Sequence, residues 1–208
     1  MDNLKLSEIK VVFMDIGGVL LSNGWGHESR QKAAEVFGFD YEEMNVLHNF
    51  IYNVFEIGGV SLDDYLDTVV FHVPRDFTRA DFKSFMYAQS VELPDMLSWA
   101  KSWKKNTALP VFAISNESKE INAYRIATFR LYDLFDGFFS SCYLGLRKPN
   151  PKIFQTAMEI VQAKPQECIY FDDRLMLVNA AKKLGINGIH HQSFEATKKI
   201  IENITQKK

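Results

Sequence analysis

Residues Lys10 to Leu21 read KVVFMDIGGVLL, an apolar run that stops at an acid and turns on two glycines. Val11, Val12, Phe13 and Met14 are contiguous and rich in β-formers, the pattern of a strand buried on both faces of a parallel sheet. Asp15 falls at the carboxyl end of that strand, where open α/β sheets bind their ligands. Gly17 and Gly18 let the backbone approach an anion with no Cβ in the way. Alone, the stretch also fits a plain strand followed by an acid-capped turn, so its meaning rests on the rest of the chain.

Downstream of a glycine-bearing loop (SNGWGH, 22–27), apolar residues recur at helical spacing from Glu28 to about Val91. Gly38 closes one helix; Asp40 to Glu43 and Ser61 to Asp64 are the N-terminal signatures of two more, and Phe82, Phe85 and Met86 mark a fourth. This unit carries no buried-strand pattern and is rich in aromatics: Phe50, Tyr52, Phe55, Tyr65, Phe71, Phe77, Phe82, Phe85 and Tyr87. Most are expected to form its core. Beyond it, strands and helices alternate. Strands are expected at 109–114, ending at Ser115-Asn116, at 135–141, at 168–171, ending at Asp172-Asp173, and at 186–190; helices lie between them, one capped by Asn150 with Pro151 in its first turn. That order predicts an α/β fold with a doubly wound parallel sheet, a Rossmann-like core. The core is expected at residues 1–22 and 92–208, with residues 23–91 inserted as a helical cap.

The 208 residues are 47% hydrophobic, enough for a full core. Twenty-four basic and 26 acidic residues leave a formal net charge of −2, which excludes the basic footprint of a nucleic-acid binder. The start, MDNLKLSEIK, lacks the features of a signal peptide, and no apolar run approaches the ~18 residues of a membrane span. A cytoplasmic chain with no membrane partner is expected. Cys142 and Cys168 have no partner at metal-ligand spacing and read as buried thiols.

In such a sheet Asp15, Ser115-Asn116 and Asp172-Asp173 share one edge, and the loop GLRKPNP (145–151) adds Lys148. Three carboxylates near one point repel: a pair ~4 Å apart costs about 4 kcal/mol at an effective dielectric of about 20. The site must hold a cation or a shared proton. A hard divalent ion suits the oxygen ligands, and Mg²⁺ is usual where phosphate is the partner. Lys148 adds a fixed positive charge, Ser115 can donate to phosphate oxygens, and Asp15 is a candidate carboxylate nucleophile for phosphoryl transfer.

These segments, FMDIGGVL, FAISNES, GLRKPNPKIF and IYFDDRLMLVNAAKKLG, resemble in order and spacing the four motifs of the haloacid dehalogenase superfamily. FEIGGVSLDDYL (55–66) is similar to a recurring segment of that superfamily's helical cap. The resemblance implies a Mg²⁺-dependent phosphatase acting on a small phosphorylated metabolite, a sugar phosphate as first guess. Asp15 would attack phosphorus and carry an aspartyl-phosphate. Ser115 would bind the transferring group, Lys148 would balance the charge on both, and Asn116 would orient the phosphate or the nucleophile loop. Asp15, Asp172, Asp173 and the backbone carbonyl of Gly17 would hold the metal.

One departure from the pattern matters. Superfamily phosphatases typically carry a second acid two residues after the nucleophile, where this chain has Gly17. That acid protonates the leaving group, and losing a general acid/base typically costs about 10²–10⁴ in rate. Members with D-x-G resemble this chain more closely and are assigned as sugar-phosphate phosphatases. The physical alternatives are an easily departing leaving group, an acid supplied by His27, Glu28 or His48, or a slow or non-catalytic relative that binds a phosphate ligand. Metal-independent hydrolytic dehalogenation is a further rival, against which the adjacent acids Asp172-Asp173 argue. Arg147 reads as a surface charge or a second contact to an anionic substrate.

Overall fold

A computed structural model describes residues 8–206. Residues 1–7, which carry most of the segment read as lacking a signal peptide, lie outside the described residues. Five parallel strands, β1 (Val11–Met14), β2 (Val111–Ser115), β3 (Gly137–Ser140), β4 (Cys168–Asp172) and β5 (Asn187–His190), form one sheet in the order β3-β2-β1-β4-β5. β1 is central, and the strand order reverses beside it. Met14 pairs with Ala113 on one side and with Phe171 on the other, so Asp15, Ser115 and Asp172 emerge from three neighbouring strands.

The run VVFM is apolar throughout because both faces of β1 are covered. Val12 and Met14 face α5 (Met96–Lys104) and α10 (Phe194–Gln206) through Met96, Leu97, Ile201 and Ile204. Val11 and Phe13 face α8 (Pro151–Ile160) and α9 (Leu175–Lys182) through Ile153, Phe154 and Ala181. This alternation is the two-residue period of a strand. α6 (Lys119–Thr128) follows β2. A four-residue helix, α7 (Ser141–Leu144), occupies the end of what reads in sequence as strand and loop; β3 stops at Ser140 because Ser141 turns inward, donating to the carbonyl of Glu56 at 2.6 Å.

Between β1 and α5 stand α1 (His27–Phe37), α2 (Tyr41–Glu56), α3 (Leu62–Val69) and α4 (Arg79–Ala88). Their N-termini follow the sequence signals: Asp40 caps α2, and Ser61 and Thr78 form capping boxes with Asp64 and Asp81. Gly38 closes α1 in the left-handed conformation. The helices pack on one another through Met44, Phe55, Tyr65, Leu66 and Phe82, with Phe37 against Phe77 and Phe82 at 4.5 and 5.0 Å between ring centroids. Most of the aromatics are core, as expected; Phe50 is 83% exposed. The two connections to this unit run side by side. Ser22 N–H donates to Val91 carbonyl, Leu93 N–H to Leu20 carbonyl, and Ser22 Oγ to Gln89 carbonyl. Among the described residues no helix is long and apolar enough to cross a membrane.

Candidate active site

Lys148 organises the carboxyl edge of the sheet. It is 1% exposed, and its ammonium lies 2.8 Å from Asp15 Oδ2, 2.8 Å from Asp172 Oδ2 and 3.0 Å from the Tyr170 hydroxyl. Three acceptors match its three protons. Burial works to strip its proton, but the charges of Asp15 and Asp172 prevail and hold it protonated above its ordinary range. Burial also pushes Asp172 up, yet Lys148, Tyr170 and the N–H of Arg174 hold it below the usual carboxylate range. Asp15 goes the other way: burial raises it, and Lys148 offsets only part of that. Its Oδ1 accepts from the N–H of Ile16 at 2.8 Å.

Asp173 completes the group. Oxygens of Asp15, Asp172 and Asp173 lie within 4.8 Å of one another, and Asp173 Oδ1 is buried with no partner. Burial and the charge of Asp172 raise Asp173. Three carboxylates share one buried ammonium, with the exposed Arg174 guanidinium beside Asp173, so the cluster is short of positive charge, and its donors are all hard oxygens. Both facts fit a divalent cation such as Mg²⁺. Gly18 belongs to the same construction. Its φ is +68°, and a Cβ there would sit 2.1 Å from Asp173 Oδ2, so only glycine fits beside the acid.

Ser115 is 1% exposed and lines the cavity above Asp15; its hydroxyl leans toward Glu117 Oε1 at 3.4 Å. Asn116 bonds the backbone of the Lys148 loop. Its Nδ2 donates to the carbonyl of Lys148 at 2.9 Å, and its Oδ1 accepts from the N–H of Lys148 at 2.8 Å. Asn116 thereby fixes the backbone that carries Lys148. Arg147 is not a free surface charge, and it lines the cavity. It pairs with Glu56 at 2.7 Å and lies over the Tyr52 ring at 4.9 Å, tying the Lys148 loop to α2.

The cavity measures about 370 Å³ and is bounded by Asp15, Gly17, Ser115 and Lys148 on the sheet side and by Trp25, Arg30, His48 and Tyr52 on the helical side. Two carboxylates not singled out in the sequence also face it. Glu117 is buried and paired with Arg125 at 2.5 Å, its Oε2 unpartnered; Glu56 ends α2. Burial raises both. Glu117 lies two residues beyond a strand end already marked by Ser115, and Glu56 lies within the quoted cap segment FEIGG, so position alone could have flagged them.

The three sequence candidates for a replacement acid fare differently. Glu28 is exposed and does not line the cavity; His27 lines it, also exposed, with Nδ1 bonded to the Tyr41 hydroxyl at 2.7 Å. His48 is buried in the cavity wall, but its hydrogen bonds assign it another role. Trp25 Nε1–H donates to the Tyr65 hydroxyl, and the buried hydroxyl's own proton has one acceptor among the described residues, His48 Nδ1, each at 2.8 Å. His48 is therefore the neutral tautomer with its proton on Nε2. Burial, then the charge of Arg30, lowers it from 6.5 to about 3, so it cannot serve as an imidazolium acid near neutral pH.

The buried, neutral His48 ties stability to pH. The unfolded chain takes up a proton on this histidine below about pH 6.5 and the folded chain does not, so stability falls as pH drops through that window. At pH 5 the single group removes about 2 kcal/mol. Urea unfolding between pH 7 and 4 should show His48→Gln with a shallower acid loss than wild type; parallel curves would refute a neutral His48.

Among solved structures, the fold is similar to a haloacid dehalogenase family enzyme from Bacteroides thetaiotaomicron, with a TM-score of 0.76 and 22% identity over 88% of this chain and 94% of that one. The same enzyme is known in complex with magnesium and inorganic phosphate, with a TM-score of 0.75 and 21% identity over the same shares. A sesquiterpene phosphatase of Aspergillus oryzae is 37% identical over 59 residues, 28% of this chain and 30% of that protein. A drimenol cyclase of Aspergillus calidoustus is 22% identical over 209 residues, 94% of this chain and 36% of that protein. The chain thus spans about a third of the length of these curated relatives. The model of the haloacid dehalogenase-like hydrolases matches residues 9–185, most of the described chain, and the protein belongs to that family.

Proposed function

We propose that the protein is a Mg²⁺-dependent phosphatase of a small phosphorylated metabolite, with Asp15 as nucleophile. The observation that carries this reading is the cluster of Asp15, Asp172 and Asp173 around buried Lys148 at the floor of a polar cavity. The phosphate and magnesium bound by the Bacteroides relative and the phosphatase activity named for the Aspergillus oryzae relative support it.

In this reading one Asp15 carboxylate oxygen attacks phosphorus while the bond to the leaving oxygen breaks, giving an aspartyl-phosphate. Water then attacks phosphorus, releasing phosphate and restoring Asp15. Ser115 donates to the transferring group, and Lys148 holds Asp15 in place and offsets part of the cost of its charge. Asp15, Asp172, Asp173 and the carbonyl of Gly17 would hold Mg²⁺, which when bound would neutralise charge on the phosphate oxygens. Residues 23–91 act as the cap that closes over the cavity and excludes water from the first step. Asn23, Asn49 and Tyr52 give the cavity wall hydrogen-bonding groups suited to a hydroxylated leaving group such as a sugar.

A second reading, a slow or non-catalytic phosphate binder, rests on Gly17, and the third, dehalogenation, needs no metal. Hydrolysis of a panel of phosphate monoesters, and halide release from a set of 2-haloacids, each with Mg²⁺ and with chelator, test all three. Turnover that disappears with chelator and returns with Mg²⁺ is the expected result. Binding of Mg²⁺ without turnover would favour the binder, and halide release insensitive to chelator would favour the dehalogenase.

A further inference from the structure

Each carboxylate facing the cavity already has a cation: Lys148 serves Asp15, Arg125 serves Glu117 and Arg147 serves Glu56. Arg30, on the opposite wall, has none among the described residues. It is 8% exposed, its Nε is buried without a partner, and its terminal nitrogens reach only neutral oxygens, the Trp25 carbonyl at 3.3 Å and Asn45 Oδ1 at 3.4 Å. A guanidinium removed from water and left with two long, neutral bonds has lost hydration that nothing in the protein returns. Beside it, His48 carries its proton on Nε2, which has no hydrogen-bond partner among the described residues. The two form a donor pair on the cap side of the cavity whose floor is Asp15.

We infer that Arg30 and His48 form a subsite for a second oxyanion, and that the substrate is a phosphate monoester carrying another anionic group, a carboxylate or a second phosphate, at the end away from Asp15. The inference rests on the phosphatase reading for the orientation of the ligand. The oxyanion supplies Arg30 with the counter-charge it lacks, and His48 adds a neutral donor. Charge-assisted bonds of this kind are worth about 10- to 100-fold in discrimination.

The test uses three esters on a common three-carbon frame: glycerol 3-phosphate with an uncharged tail, 3-phosphoglycerate with a carboxylate, and glycerol 1,3-bisphosphate with a second phosphate. The readout is the ratio of kcat/KM for each charged-tail ester to that for glycerol 3-phosphate. In wild type it should be about 10 to 100. Arg30→Gln should bring it close to one, and Arg30→Lys should restore part of it. Comparing the two charged esters says which oxyanion the subsite prefers. A wild-type ratio near one, or a ratio that Arg30→Gln leaves unchanged, overturns the subsite.

Calorimetric binding of the same esters to Asp15→Asn with Mg²⁺ separates this from the phosphatase reading. Ranked binding that Arg30→Gln abolishes, with no turnover by wild type, keeps the subsite and refutes the phosphatase. Turnover without ranking, or no binding of any ester, refutes the subsite. A merely structural Arg30 would shift all three esters together.

Discussion

Asp15→Asn should lower phosphate-ester turnover by at least about 10⁴-fold, the scale seen when a covalent nucleophile is removed, while the protein stays folded. Asparagine keeps the shape of the side chain but has no anionic oxygen to attack phosphorus. The fold should tolerate it because Asp15 makes no contact that the sheet depends on. Its carboxylate accepts from Ile16 N–H, which an amide oxygen can also do, and Lys148 retains Asp172 and Tyr170. Burial already disfavours the charge on Asp15, so removing it relieves a cost in the metal-free protein. The thermal midpoint should therefore stay at or above that of wild type. The chemical check is independent of rate: acid-quenched wild type should carry phosphate on the peptide containing Asp15, and the variant should not. Turnover within tenfold of wild type would place the nucleophile elsewhere.

The edge chemistry is legible in the sequence because it depends on short-range pattern. Each of β1, β2 and β4 announces itself as an apolar run that ends in polar residues, and sheet order then brings the ends together. What the chain hides are side-chain pairings between segments far apart. Asn116 clamps Lys148 across 32 positions, Arg125 reaches the Ser22 carbonyl across 103, and Arg147 bonds Asn53 across 94. No local pattern encodes such pairs. The helical unit of α1 to α4 adds a different obstacle: α2 carries Tyr41, Phe50, Tyr52 and Phe55, so periodicity does not say which side of it looks into the cavity. Tyr52 and His48 face it, whereas Phe50, between them in the chain, faces solvent. Arg30 carries no sequence signal at all. A charge in the first turn of a helix is ordinary, and only its burial without a counter-ion makes it informative.

Gly17→Asp should raise kcat on esters of weakly acidic alcohols by about 10²-fold and leave nitrophenyl phosphate little changed, flattening the dependence of rate on leaving-group acidity. The backbone permits the substitution. Gly17 is not in the left-handed region, and a Cβ there meets Asn23 Oδ1 at 3.2 Å and Asn23 Cα at 3.7 Å, a contact that a small shift of the Asn23 side chain relieves. Gly18 offers no such freedom, since its Cβ would collide with Asp173. In wild type the departing oxygen has no carboxyl at position 17 to protonate it, so an alkoxide is far harder to expel than a nitrophenolate. An aspartic acid there supplies the proton only where the leaving group needs one, which is why the gain should grow as the alcohol becomes less acidic. The metal-free variant should be less stable than wild type, because another carboxylate joins a cluster already short of positive charge, and Mg²⁺ should restore the difference. Equal slopes for the two proteins would mean that wild type already has a proton donor. The donors to test would then be Glu117 and Glu56, carboxyl groups that face the cavity and that burial keeps nearer to protonation, and His27, which also lines it.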